Sequence, residues 1–357
     1  GHDIKDLIFY LDKIKDNVNA PTVLHVITQK GRGYPQAENN PQDYHGVSAK
    51  DSISSSTMSN TVGKTLCELA QNDQRIVAIT AAMTLGTGLK PFMETFPTRF
   101  FDVGIAEEHA VTFAAGLAKQ GLKPYVAIYS TFLQRAYDQI LHDVCLQNLP
   151  VVFCVDRAGF VGEDGQTHQG LFDISYLSAM PNMVLLAPAS TKQLDSALKW
   201  SQNQSFPIAI RYPKCDVGFN LDFQFCKWQT FTEESEITVL AVGCNALNAS
   251  INAYELLKSE NINICVINAD TIKPLDKQTL GRVFDNSKIV VTVEENVLIG
   301  GFASLIDSYL ASRKEKNIKI LHLGVDDSFV KHGSVNSQLQ KYGITAENIS
   351  NLIKNNL

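Results

Sequence analysis

The sequence predicts an α/β fold: a parallel sheet covered by helices, followed by a second, smaller α/β domain. Two observations carry this. From residue 55 onward, short runs of Val, Ile and Ala alternate with helical patterns, over 75–80, 100–104, 125–129, 151–156, 183–188 and 208–212. Near-continuous apolar strands separated by helices belong to parallel sheets buried on both faces. After a linker-like stretch at 226–235, a second alternation occupies 238–243, 264–268, 288–294 and 318–323.

Before these lie residues 1–56, which do not read as a complete domain. An amphipathic helix over 4–14 leads to one apolar strand over 22–28 and then to a polar stretch with glycine and proline. A lone helix and strand cannot bury enough surface to stand alone. The chain opens Gly1-His2-Asp3 without an initiator methionine, which reads as a processed chain or a piece of a longer one. A helix over 60–70 precedes the first strand of the main alternation, and a small-residue helix over 110–119 follows its second. No short-period repeat or low-complexity tract interrupts the pattern.

Composition narrows the class. With 357 residues there is room for two or three domains, and 45% hydrophobic against 19% charged residues allows a substantial core. The net charge of -6 argues against a nucleic-acid protein, which would carry a basic stripe. Any phosphate must therefore be held by local arginines and backbone amides. Seven cysteines, with no Cys-x-x-Cys pair, fit reduced thiols of a cytosolic or stromal compartment. No apolar stretch reaches the roughly 18 residues of a membrane span, and no signal peptide is visible.

Four segments at strand ends carry the candidate chemistry. In Asp102-Val103-Gly104-Ile105-Ala106-Glu107-Glu108-His109 a strand gives way to a helix on two carboxylates. The carboxyl ends of strands are where open α/β sheets bind ligands. Flanked by Ile105 and Ala106, Glu107 should be partly desolvated and able to share a proton with a ligand nitrogen. Ordinary capping by acidic residues in a first turn is the competing reading. The second segment, Asp156-Arg157-Ala158-Gly159 through Gly162-Glu163-Asp164-Gly165-Gln166-Thr167-His168-Gln169-Gly170, is a glycine-rich loop suited to small polar ligands or a plain surface turn. In the third, Tyr129 to Asp138, Phe132 serves equally as core or stacking partner, and Arg135 as ligand contact or exposed side chain. In the fourth, Arg211 ends a strand before Pro213, where it can grip a phosphate bidentately or form a salt bridge. Arg135, Arg157 and Arg211 at three strand ends of an acidic chain favour an anionic substrate. There is no Gly-x-Gly-x-x-Gly after a strand, no P-loop and no Cys/His metal spacing, and Gly31-Arg32-Gly33 is too short for a dinucleotide fingerprint.

Together these segments resemble the 1-deoxy-D-xylulose-5-phosphate synthase family, thiamine-diphosphate enzymes related to transketolase. The likeness covers Leu24-His25-Val26-Ile27-Thr28-Gln29-Lys30-Gly31-Arg32-Gly33-Tyr34, residues 102–116 and 127–143, and the loop from Asp156 to Gly170. It extends to Arg211-Tyr212-Pro213 and Gly300-Gly301-Phe302. The resemblance implies three domains: residues 1–56 as the end of a diphosphate-binding domain, 57–225 as a pyrimidine-binding domain, and 232–357 as a transketolase C-terminal-like domain. The Gly-Asp-Gly…Asn segment that would hold Mg2+ and diphosphate is absent, so metal and diphosphate ligands are expected outside this chain and the fragment alone should not turn over. Glu107 would bond the aminopyrimidine nitrogen, with Ile105 beside it and Phe132 stacked on the ring. Tyr129, Arg157 and Arg211, with Arg135, would contact the phosphate side of the acceptor. Asp164 and His168 would line the acceptor pocket, and His25 would face the reacting centre. Glu108 and His109 read as structural, and Glu294-Glu295-Asn296 with Gly300-Gly301 as the opening of a helix in a packing domain.

The activity that the resemblance implies is an acyl-transferring synthase joining pyruvate and D-glyceraldehyde 3-phosphate. It would act as a homodimer in a bacterial cytoplasm or plastid stroma, with an N-terminal fragment of the same enzyme as a further partner. A transketolase-like or 2-oxo-acid dehydrogenase β-type subunit is the enzymatic rival, and a non-catalytic remnant the other.

Overall fold

A computed structural model describes residues 1–41, 44, 58–214, 218–313 and 318–357. The chain divides into two units, Gly1–Ser54 and Ser55–Leu357. The expected boundary at 56/57 and Cys215 lie outside the described residues.

In the first unit, α1 (Ile4–Asn17) begins on Asp3, whose Oδ1 accepts from the N–H groups of Lys5 and Asp6 at 2.9 and 3.2 Å. That side chain satisfies two donors a helix start leaves unpaired. A short α2 (Pro35–Asn39) opens on proline, which has no N–H to satisfy there. The strand expected over 22–28 does not form: residues 21–29 have no regular structure. A strand exists through its ladder, and among the described residues none pairs with this segment.

The second unit begins with α3 (Met58–Asn72), β1 (Ile76–Thr80), α4 (Lys90–Thr95), β2 (Phe100–Asp102), α5 (Glu107–Lys119) and β3 (Lys123–Tyr129). Two helical turns come next, α6 (Ser130–Leu133) and α7 (Tyr137–Gln139), then β4 (Val152–Asp156), α8 (Asp173–Ser178), β5 (Val184–Leu186), α9 (Thr191–Ser201) and β6 (Ile208–Tyr212). Every residue of β1, β4 and β6 is buried, which is why these strands show no apolar–polar alternation. Tyr129, Asp156 and Tyr212 stand side by side in the parallel register. The loops that leave β3, β4 and β6 therefore emerge from the same edge of the sheet.

The second alternation gives β7 (Gln229–Thr230), β8 (Ile237–Val242), α10 (Cys244–Ser259), β9 (Cys265–Asn268), β10 (Thr271–Lys273) and α11 (Lys277–Asn286). It closes with β11 (Ile289–Val297), α12 (Phe302–Ala311), β12 (Lys319–Val325), α13 (Val335–Lys341) and α14 (Ala346–Lys354). Among the described residues two sheets result, ordered β10-β5-β6-β4-β3-β1-β2 and β12-β11-β8-β9-β7.

Two details correct the sequence reading. The stretch at 226–235 is not a bare linker, because β7 within it pairs antiparallel with β9. More consequentially, β10 comes from the second alternation yet pairs antiparallel with β5 of the first sheet, Thr271 opposite Leu186. The Ala187 N–H donates to the Asp270 carbonyl at 2.7 Å, and Trp228 Nε1 donates to the Thr271 carbonyl at 2.9 Å. The two α/β halves thus share a strand. Of the described cysteines, Cys145, Cys154, Cys244 and Cys265 are buried, and burial pushes the Cys145 thiol up to about 12.

Candidate active site

The turn from β2 to α5 is fixed by Asp102. Its Oδ1 accepts from the N–H groups of Ala82 (2.8 Å) and Gly104 (3.0 Å), and its Oδ2 from the Thr84 hydroxyl (2.8 Å). This places Glu107 at the first position of α5, where the helix dipole favours an anion. Glu107 is 2% exposed, whereas Ile105 two residues earlier is 81% exposed. Arg135 Nη1 donates to Glu107 Oε1 at 2.9 Å, and among the described residues Oε2 carries no hydrogen bond. Glu108 and His109 are exposed, His109 stacking on Phe113 at 5.8 Å.

The β3 end supplies the aromatic wall. The Arg135 guanidinium lies 5.0 Å from the Phe132 ring centroid. Phe132 stacks on Tyr129 at 6.0 Å and meets the edge of His168 at 5.3 Å. The Thr131 hydroxyl donates to the Thr167 carbonyl at 3.0 Å, and Thr167 Oγ1 lies 2.9 Å from His168 Nδ1. Arg157, held at φ 56°, lays its guanidinium 4.0 Å from the Tyr129 ring centroid. Its Nη1 donates to the Gly86 carbonyl at 2.6 Å and to Asp156 Oδ1 at 2.9 Å. Burial pushes the Asp156 carboxyl up, against the pull of Arg157, and burial likewise raises the Tyr129 phenol.

Glu107, Arg135, Phe132, Tyr129, Arg157 and His168 therefore form one connected cluster. Asp164 is exposed on the same loop as His168. His25 belongs to the first unit, where it is exposed. Arg211 takes the salt bridge of its two readings, though a buried one. Rather than an open guanidinium, it is 4% exposed and bound to Asp173, Nε to Oδ2 at 2.8 Å and Nη2 to Oδ1 at 3.2 Å. Nη2 also donates to the Glu295 carbonyl at 3.2 Å. A guanidinium taken out of water must be paired, and its partner here lies 38 residues earlier in sequence.

Sequence reasoning missed several residues around this cluster. Asp102 and Asp156 were visible only as neighbours of better candidates. Glu294 caps α12 as the helix-opening motif implied, its carboxylate accepting from the N–H groups of Phe302 and Ala303 at 2.8 Å each, and burial pushes it up to about 8. Glu295 instead points back to the first half, where Oε2 accepts from the Phe160 N–H at 3.2 Å. No local pattern distinguishes the two.

The family pattern described as transketolase, pyrimidine binding domain, matches residues 54–218, and that of the transketolase C-terminal domain matches residues 227–349. The chain carries two transketolase-type domains, a pyrimidine-binding one and a C-terminal one. Among curated proteins it is similar to the 1-deoxy-D-xylulose-5-phosphate synthase of Clostridium tetani, 48% identical over 360 residues covering 98% of this chain and 58% of that protein. It matches the corresponding synthase of Clostridium acetobutylicum at 48% over 363 residues, again 98% and 58%. The chain thus spans about 58% of the length of these curated relatives. Among solved structures, a split-gene transketolase described as an inactive β4 tetramer aligns at 28% identity with a TM-score of 0.75, covering 84% of this chain and 97% of that one. Transketolase from Campylobacter jejuni aligns at 18% identity and TM-score 0.71, over 84% of this chain and 46% of that one, a likeness of fold.

Proposed function

We propose that this chain forms the pyrimidine-binding and C-terminal portion of a thiamine-diphosphate-dependent synthase. The enzyme would join pyruvate and D-glyceraldehyde 3-phosphate, with loss of carbon dioxide, to make 1-deoxy-D-xylulose 5-phosphate for isoprenoid precursors. The observation that carries this reading is the 48% identity to two such synthases across 98% of the chain. The geometry around Glu107 supports it. A buried carboxylate with one oxygen held by arginine and, among the described residues, no hydrogen bond on the other suits a protonated ring nitrogen, and the same arginine lies against the Phe132 ring. The residues present therefore fit an aminopyrimidine.

When bound, the cofactor with Mg2+ would supply the nucleophilic carbon and the electron sink that decarboxylation requires. The chain's own residues bind and orient. Glu107 Oε2 would hold a proton against the ring nitrogen, while Arg135 fixes the other oxygen so that only Oε2 is offered. Ile105 and Phe132 would border the ring. Arg157 and Tyr129, packed on each other, are the proposed phosphate-side contacts, with Asp164 and His168 orienting the aldehyde. Arg211, paired with Asp173 and the Glu295 carbonyl, is the third residue proposed for the phosphate side.

A second reading, a β-type subunit that works only beside a partner chain, is favoured by the alignment with the split-gene transketolase over 97% of its length. Assaying the full-length enzyme with pyruvate plus D-glyceraldehyde 3-phosphate, against xylulose 5-phosphate plus ribose 5-phosphate, separates the two. Product from the first pair alone is expected, and the chain by itself should convert neither. Turnover only of the second pair would overturn the synthase reading. Homodimeric assembly in a bacterial cytoplasm completes the proposal, and among the described residues no helix is long and apolar enough to cross a membrane.

A further inference from the structure

The loop that carries Arg157, Asp164 and His168 is pinned at its ends and held at its tip by a different part of the chain. Its ends are closed by Gly159 and Gly170, each N–H donating to the other's carbonyl at 2.6 and 2.9 Å. One flank is tied by the Thr131 hydroxyl to the Thr167 carbonyl. The tip faces α13. There the Gln338 side chain, 4% exposed, grips both backbone groups of Gly162. The Gly162 N–H donates to Gln338 Oε1 at 3.1 Å, and Gln338 Nε2 donates to the Gly162 carbonyl at 3.2 Å and the Lys331 carbonyl at 2.9 Å. The Gly333 N–H adds a bond to the Gly162 carbonyl at 3.3 Å. The approach is close. Gly162 sits at φ 77°, and a Cβ there would come within 3.2 Å of the Gly333 carbonyl and Val335 Cγ2. At Gly165 a Cβ would come within 3.2 Å of the His332 Cβ.

We propose that Gln338 is a positioning residue: it sets the conformation of the 157–170 loop, and through it the acceptor-facing side chains, from the C-terminal domain. Its amide can serve a buried N–H and a buried C=O at once, and both of its donor hydrogens have partners. Without it, Gly162 would keep two polar groups out of water with fewer partners, and the loop would open to recover them. The catalytic consequence rests on the proposed synthase activity; the structural one does not.

Hydrogen exchange on this chain tests the structural part. Gln338→Met keeps volume and shape and removes all three bonds, while Gln338→Glu keeps an acceptor for the Gly162 N–H and loses both donors. Peptides across 158–170 should exchange on the order of tenfold faster in Gln338→Met, less so in Gln338→Glu, with β1 and β8 unchanged. Unchanged exchange in the loop, or equal acceleration throughout, would overturn the proposal, and Gln338→Glu decides it if the Met variant does not fold. In the full-length enzyme, KM for the phosphorylated aldehyde should rise about fivefold or more while KM for pyruvate stays within about twofold. Equal effects on both substrates would count against positioning. If the wild-type enzyme makes no product, the synthase reading fails while the exchange result still decides the role of Gln338.

Discussion

Arg211 and Asp173 show what burial does to an ion pair. Both side chains are almost wholly removed from water, so the loss of either strands a charge in the interior. Asp173→Ala should therefore lower unfolding stability by about 3–5 kcal/mol, read as a fall in the denaturation midpoint at unchanged slope. A loss below about 1 kcal/mol would mean that water reaches the guanidinium. Two other carboxyls predict a pH dependence of stability. Burial pushes Asp270 from 3.8 up to about 7 and Glu294 from 4.5 up to about 8. The fold thus holds protons that the unfolded chain releases. Their stabilisation is complete below the unfolded values and is lost as pH rises through the folded ones. The midpoint should fall between about pH 5 and about pH 8, and Asp270→Asn should flatten part of that fall. A midpoint that rises over this range would contradict the assignment. Little of this was legible beforehand. Arg211 reads equally as a phosphate grip or a salt bridge because its partner Asp173 is distant in sequence, and Glu295 looks like Glu294 until the sheet turns one of them toward the Phe160 N–H.

Among the elements, the parallel strands were legible because being buried on both faces demands uninterrupted Val, Ile and Ala. The start of α5 was legible for a similar reason, since Asp102, Gly104 and Glu107 fall where a strand must turn into a helix. The three residues of β10 were not, because a short antiparallel edge is defined by its partner and not by its own composition. The reverse error occurred over 22–28, where an apolar run found no ladder. One close approach between elements yields a sharp prediction. A Cβ on Gly86 would lie 1.7 Å from the Tyr129 hydroxyl, and the Gly86 carbonyl also holds Arg157. Gly86→Ala must push Tyr129 aside and loosen the Arg157 pairing with it. The expected outcome is a several-fold rise in KM for the phosphorylated aldehyde with melting temperature lowered by a few degrees, about 1–2 kcal/mol. Unchanged kinetics would remove Tyr129 from the acceptor site.

At the scale of the molecule, the two α/β halves of the second unit are stitched by β10, by Arg211 on the Glu295 carbonyl, and by Gln338 on Gly162. Units joined through buried polar bonds and a shared strand unfold together. Calorimetry of the chain should show one transition spanning both halves, and two well-separated transitions would show that the junction is weak. The sequence suggests two domains here because the βα alternation pauses at 226–235. Nothing in the second alternation marks the return of the chain to the first sheet at Thr271–Lys273. The most direct test of the chemistry lies at Glu107 in the full-length enzyme, assayed with pyruvate and D-glyceraldehyde 3-phosphate. Glu107→Gln should cut turnover by about 10²–10⁴-fold at an unchanged melting temperature, because the amide cannot exchange the proton. Turnover within a few-fold of the wild type would contradict it.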